Sequence, residues 1–451
     1  MGDYPVSQTI ELIAIIMNTP DSTPRPTSRR DFLKTSSTAM LGGALAVNFG
    51  LPTRSFAQNG DTLRLGLIGC GGRGTGAATQ ALAADKNVVL VALGDAHENR
   101  LQGSLSELKK AEPDRVKVDP DHCFVGFDAY QKVLSSGVDV IILATPPGFR
   151  PIHLKAAVEA GKHIFCEKPM ATDAPGLRSV MASAALAKTK KLALVAGFCW
   201  RYNPAERAVF QQVHDGAIGD IRAIYSTYNT SSIWVYPRKP EWTDMQWQMR
   251  NWYYFTWLSG DHLVEQAIHS VDKMAWAMKD ATPVRATAHG GRQVRVAPEF
   301  GHIYDHFEVV YEFADGARGF LFCRQQDGCS NDNSDYLMGS KGIGQVSGFR
   351  KLHKITGEKN WEYSGPQPNM YQVEHDELFA SIRSGKPIND GEWMAHSTMM
   401  GIMGRMAAYT GQTITWEQAL NSEENLCPPK FDWNQPLPVP PVAMPGQTKF
   451  I

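Results

Sequence analysis

The sequence predicts an α/β protein whose first half is a doubly wound parallel sheet. Three observations carry that expectation. A glycine turn, Gly69-x-Gly71-x-x-Gly74, lies between an apolar run and an alanine-rich stretch in "LRLGLIGCGGRGTGAATQALAAD", residues 63–85. Apolar runs then alternate with helix-forming stretches, joined by short connections, as parallel strands with crossover helices do. In the second half the pattern shifts to alternating strands such as "DHFEVVYEF" and "ARGFLFCRQ", separated by Gly and Asp turns, and to helical segments such as "MYQVEHDELFASIRSGK".

The chain has 451 residues, 43% hydrophobic and 20% charged, and a formal net charge of −1. Such a balance argues against nucleic-acid or anionic-membrane partners, which need a basic field. No apolar run in the body of the chain is long enough to span a bilayer. "TSRRDFLK" (27–34), followed by small and apolar residues and then "RSFAQ", reads as a twin-arginine export signal. Arg29 and Arg30 form its n-region and the cleavage site ends at Ala57, so the mature protein would be periplasmic or otherwise extracytoplasmic. The start at Met1 or at Met17 stays open. The expected domains are a signal region over 1–57, a nucleotide-binding domain over 58–196, a second α/β domain over 197–420 and a proline-rich arm over 421–451. The seven cysteines are an odd number with no metal-ligand spacing. Buried free thiols are expected, with Cys323–Cys329 the one nearby pair.

The glycine turn, with a strand before it and a helix after it, fits a dinucleotide pyrophosphate. The next strand, "NVVLVALGD" (87–95), ends on Asp95, where an acid would hold ribose hydroxyls. Asp95 favours NAD, whereas Arg100 and His97 nearby leave NADP open. A third strand, "DVIILATPP" (139–147), ends in Thr145-Pro146-Pro147. After one helix comes "HIFCEKPM" (163–170), and "KLALVAGFCWRY" (191–202) supplies the last strand. Lys168 therefore lies at the carboxyl edge of the sheet, on the nucleotide side.

Together, the glycine turn, "ATPPGFRPIH", "EKP" and "GFCWRYNP…GAIGDI" resemble the Gfo/Idh/MocA oxidoreductases, over residues from about 62 to 420. The resemblance implies an N-terminal Rossmann domain and a C-terminal α/β domain with a large, mostly antiparallel sheet. The open face of that sheet would make a homo-oligomer, a dimer or tetramer, and Lys168-Pro169 would be cis. The cofactor contacts expected on this basis are Gly69, Gly71, Gly72, Arg73, Gly74, Asp95, Arg100, Thr145, Pro146, Pro147, His153, Glu167 and Lys168.

"SGDHLVEQAIHSVDKMAWAM" (259–278) has helical spacing that would set Asp261, Glu265, His269 and Asp272 on one face. Family members carry an Asp four residues before the His, and here Glu265 replaces it. Oxidising a secondary alcohol calls for a general base, and His269 suits that role. Glu265 would fix its tautomer, while Lys168 would hydrogen-bond the alcohol oxygen; a desolvated Lys168 acting as base is the alternative. Asp261, His262, Glu265 and His269 could also ligate a cation, but the nicotinamide site already accounts for them and no metal is expected. The segment 232–261, rich in Trp and Tyr, suits a sugar ring. Lys168, Arg201, Tyr202, Arg250, Trp252, His269 and Asp272 are the expected substrate contacts.

The function expected is an exported oxidoreductase with tightly bound NAD, or NADP, acting on a ring hydroxyl or ketone of a sugar, a glycoside (at C3 by preference) or a cyclitol. A redox-neutral glycoside hydrolase, with Tyr254 or Asp261 as a further base, is the alternative. A non-catalytic sugar-binding protein is the third reading.

Overall fold

The computed structural model describes residues 61–451, Phe349 excepted. The twin-arginine motif and Ala57 lie outside the described residues.

The first layer is built from β1 (Leu63–Ile68), α1 (Gly72–Ala84), β2 (Val88–Asp95), α2 (Glu98–Ala111), β3 (Cys123–Val125), α3 (Ala129–Ser135), β4 (Val140–Leu143), α4 (Arg150–Glu159), β5 (His163–Cys166), α5 (Ala174–Thr189) and β6 (Leu194–Ala196). The six strands run parallel in the order β3-β2-β1-β4-β5-β6. All four residues of β4 are buried, as a strand covered by helices on both faces requires. The order reverses between β1 and β4, which opens a crevice above their carboxyl ends. β3 is the strand the sequence reading passed over. It has three residues and none is buried, so no apolar run announces it.

The second layer starts with α6 (Pro204–His214), which the side chain of Asn203 caps, and β7 (Ile221–Thr230). Four short helices follow: α7 (Asp244–Arg250), α8 (Thr256–Ser259), α9 (His262–Glu265) and α10 (Ile268–Ala277). The continuous helix expected over 259–278 is therefore broken. Gly260 and Asp261 both take positive φ, 76° and 77°, and Gln266–Ala267 separates α9 from α10. Next come β8 (Arg285–Gly291), β9 (His306–Glu312), β10 (Arg318–Gln325), β11 (Asp335–Gly339), β12 (Gly342–Ser347), β13 (Leu352–Gly357), β14 (Trp361–Glu362), α11 (Met370–Arg383), α12 (Gly391–Thr410), β15 (Ile414–Thr415) and α13 (Trp416–Asn421). Their sheet has nine strands in the order β14-β13-β12-β11-β7-β10-β9-β8-β15. It is antiparallel except where β10 runs parallel to β7. The nearly fully buried α12 packs against β8, α5 and α10.

Two returns tie the layers together. Leu378, Phe379 and Ile382 of α11 share a core with Ala77, Ala78 and Ala81 of α1, and Arg383 pairs with Asp85 at 2.6 Å. The amide of Leu194 donates to Ile388 O at 2.8 Å. A helix late in the chain thus completes the first core. The proline-rich arm also folds back on its own chain. Thr243 Oγ1 donates to Trp433 O at 2.5 Å and Gln248 Nε2 to Leu437 O at 2.6 Å. All seven cysteines are free thiols, with Cys323 buried and Cys329 exposed, so that pair is not bonded. Among the described residues no helix is long and apolar enough to cross a membrane.

Candidate active site

A cavity of about 680 Å³ occupies the crevice above the switch point and extends to β7, α7, α9 and α10. At one end stands the glycine turn. Gly69 has φ 98°, and a Cβ there would lie 2.6 Å from the backbone of Ala144; a Cβ on Gly74 would lie 1.8 Å from Gly69 O. Only glycine lets α1 start this close to β1. No side chain caps α1 at Gly71, so its first amides are left for a ligand at the cavity edge.

Asp95 lies across the turn. Its carboxylate accepts from Cys70 N at 2.7 Å and His97 N at 2.8 Å. Burial pushes its pKa up, while these amides pull it down. Arg100 also lines the cavity, as do Gly71, Gly72, Thr145, Pro146 and Pro147. Arg73 is not free to meet a phosphate alone. It pairs with Glu167 and, at 3.0 Å, with Glu374 of α11, tying the glycine turn to the end of β5. His153 bonds Thr145 Oγ1 through Nδ1 at 3.2 Å, and burial, helped by neighbouring Arg150, lowers its pKa to about 3. Arg150, which the sequence reading did not single out, is buried and donates to Leu143 O (2.6 Å) and Thr145 O (2.8 Å). It holds the loop after β4 in place.

At the other end Lys168 follows β5, and the Lys168–Pro169 bond is cis. Lys168 Nζ donates to Glu265 O at 2.5 Å and to Glu265 Oε1 at 2.8 Å. Glu265 is therefore the partner of Lys168, and the expected Glu265–His269 bond does not form. The break between α9 and α10 is the reason, because it takes Glu265 out of the helical register that would stack it on His269. His269 lines the cavity with its Nδ1 buried and unpartnered. Burial, then Lys168, drives its pKa well below 6.5.

Trp252 lines the cavity, together with Tyr228, Trp234, Tyr236 and Gln266, which the sequence reading did not pick out one by one. Arg201, Tyr202 and Asp272 do not line it. Arg201 donates from Nε to Asp272 Oδ1 at 2.9 Å and from Nη2 to Asp280 at 2.6 Å, and Ser397 Oγ donates to Asp272 at 2.7 Å. Tyr202 OH donates to buried Asp390 at 2.6 Å. These groups find buried partners on α10 and beside α12 before they can reach a ligand. Arg250 lies over the Trp242 ring, 5.1 Å from its centroid, and is not among the lining residues. Asp261 takes Tyr304 N at 2.8 Å and the Tyr409 hydroxyl, while His262 meets Tyr253 OH. The four residues weighed as metal ligands therefore do not converge, and the described residues hold no cluster of that kind.

Comparison with known proteins follows the same division. Residues 63–198 match the family model described as "Oxidoreductase family, NAD-binding Rossmann fold", and residues 207–344 match the "GFO/IDH/MocA C-terminal domain". Inositol 2-dehydrogenase 4 of Saccharopolyspora erythraea is 31% identical over 170 residues, 38% of this chain and 46% of that protein. A glycosyl hydrolase family 109 protein of Solibacter usitatus is 30% identical over 211 residues, 45% of this chain and 46% of its own. The chain thus spans about half the length of these two relatives. With inositol 2-dehydrogenase of Rhizobium meliloti it shares 26% over 320 residues, 71% of this chain and 86% of that protein. Among solved structures, aldose-aldose oxidoreductase from Caulobacter crescentus superposes with TM-score 0.62 at 21% identity, covering 78% of this chain and 99% of its own. Levoglucosan dehydrogenase, in complex with NADH and levoglucosan, gives 0.62 at 18%, with the same coverage. At these identities the two structures share the fold.

Proposed function

The chain belongs to the Gfo/Idh/MocA oxidoreductase family, and from that premise we propose that it is an NAD(P)-dependent oxidoreductase for a ring hydroxyl or ketone of a sugar, glycoside or cyclitol. One observation carries the reading: Lys168, anchored twice on Glu265, shares a single cavity with His269 and with the uncapped glycine turn. The turn, the open α1 N-terminus and Asp95 fit a dinucleotide, and the cavity volume suits a ligand of that size.

Bound NAD supplies the acceptor for the hydrogen that leaves the alcohol carbon with its electron pair. The chain's own residues handle the oxygen and its proton. An ammonium has three donors, and Lys168 spends two on Glu265; the third meets the alcohol oxygen and stabilises the charge that develops there. His269 takes the hydroxyl proton at Nε2, its Nδ1 being buried and without a partner. Trp252 and Trp234 offer faces for the apolar side of the ring.

Arg29-Arg30 support export of the folded protein to the periplasm or another extracytoplasmic compartment. With no nicotinamide pool there, the cofactor stays bound and is recycled between two half-reactions. The arm supports retention, because Trp433 packs on His97 (5.1 Å) and Phe127 (4.4 Å), and Phe431 on Phe149 (4.9 Å), all three residues of the cavity wall. Oxidation at C3 of a glycoside is the favoured version. A half-exposed ring cluster of Tyr225, Phe322 and Tyr336 on the nine-stranded sheet supports a homo-oligomer.

The hydrolase reading has the family 109 similarity in its favour. Its candidate second bases are engaged elsewhere: Asp261 as described, and Tyr254, whose hydroxyl donates to Trp234 O at 2.9 Å. The test is to denature the purified protein and identify what it releases, then to feed sugar donors and acceptors in pairs. A single NAD(P) per chain and turnover only with a pair are expected. A chain that carries no nucleotide and takes none up on soaking overturns the reading.

A further inference from the structure

Gln266 faces the cavity one residue beyond Glu265, and its amide is anchored at one end. Its Oε1 accepts from Gln325 Nε2 at 2.8 Å. Gln325 is fully buried, and its own Oε1 accepts from Arg295 Nη2. Arg295 is buried in turn. It donates to Tyr304 O at 2.7 Å, and its guanidinium lies over the rings of Tyr253 and Tyr254.

A primary amide can be turned end for end at little steric cost, because its oxygen and nitrogen are alike in size. A guanidinium has no such choice, since it only donates. The polarity of the whole relay follows from it. Gln325 must show Arg295 its oxygen, so it shows Gln266 its N–H. Gln266 must then answer with its oxygen, which leaves its own Nε2 for the cavity. No acceptor among the described residues takes that group.

We propose that Gln266 is a specificity-determining residue that offers fixed N–H donors to an oxygen acceptor on the substrate, a polarity set by Arg295 through Gln325. The proposal rests on the sugar or cyclitol reading above and narrows it. The substrate carries a hydroxyl, ether or carbonyl oxygen at this place. An ammonium there, as in an amino sugar, would meet a donor on Gln266 and the Lys168 cation beyond it.

The test uses the full mature chain loaded with NAD and four probes: myo-inositol, D-glucose, methyl β-D-glucoside and D-glucosamine. Calorimetric binding, and steady-state rates with a second sugar supplied as hydride acceptor, are measured for wild type, Gln266→Leu and Gln325→Glu. In Gln325→Glu one carboxylate oxygen holds Arg295 and the other demands a donor, which turns the Gln266 amide around. For the tightest neutral polyol, Gln266→Leu is expected to raise Kd and KM about tenfold, the worth of one hydrogen bond, with kcat within about threefold. Gln325→Glu should raise them similarly while narrowing the gap between D-glucose and D-glucosamine. A polyol that binds wild type, binds Gln266→Leu more weakly and reduces no NAD supports the Gln266 assignment and sinks the redox reading. A polyol oxidised with unchanged KM by Gln266→Leu overturns the assignment and leaves the redox reading standing. Gln266→Leu decides the matter even where Gln325→Glu fails to fold, and a panel with no binder overturns the assignment.

Discussion

The two ends of the cavity are built in different ways. At the nucleotide end, Gly69, Asp95 and Thr145 stand at or just past the carboxyl ends of β1, β2 and β4, and Glu167 just past β5. Parallel order alone carries these positions to one edge. At the substrate end each group is set by a distant partner: Lys168 by Glu265, 97 residues away, and Gln266 by Gln325, 59 residues away. The first end is placed by topology. At the second, the partner each polar group captures decides the outcome, because an unpaired buried polar group is costly.

The contrast breaks most severely at Gly74. Gly74→Val puts a side chain where Gly69 O stands, and the expected result is complete loss of bound nucleotide, read by mass after denaturation. Full occupancy in that variant would mean the turn is not the phosphate cradle. Lys168→Met should lower turnover by about 10²–10³-fold with nucleotide still bound, as removal of a donor to a developing oxyanion does. Arg201→Met separates the ends from the other side. It leaves Asp272 buried and unpaired, so stability should fall by about 3–5 kcal/mol while kcat/KM of the folded fraction stays put. Lost activity without lost stability would return Arg201 to the substrate.

The smallest effect is graded by pH. Burial lowers the pKa of His97 to about 4, His153 to about 3 and His302 to about 4, and holds His262, His269 and His375 well below 6.5. Below about pH 6.5 the unfolded chain binds protons that these rings refuse, so stability falls with falling pH, each ring adding roughly 1.4 kcal/mol per unit. Glu206, raised to about 7, and Asp390, raised to about 6, oppose the loss, as do Asp95, Asp261, Asp272, Asp335 and Glu374, which burial pushes up, since the folded state binds their protons first. The net expectation is a Tm that drops steadily from pH 6.5 to 4. A Tm indifferent to pH over that range would show that the buried carboxylates cancel the rings.

By itself, the sequence determined the parallel sheet, the glycine turn, Asp95 and the place of Lys168. Each is written in a short stretch whose strand-to-turn pattern forces its geometry. It also named His269 and Glu265 beside this lysine, but it gave the carboxylate to His269, whereas in the structure Glu265 bonds Lys168. Helical spacing put Glu265 beside His269, and nothing local announced the break at Gln266–Ala267 that hands the carboxylate to Lys168. Arg201, Tyr202 and Asp272 were misread for a related reason. An Arg or Asp near a site looks the same in sequence whether it meets a ligand or a buried counter-charge. Only the tertiary structure decided between these, because the choice rests on which partner lies within about 3 Å once the layers have packed.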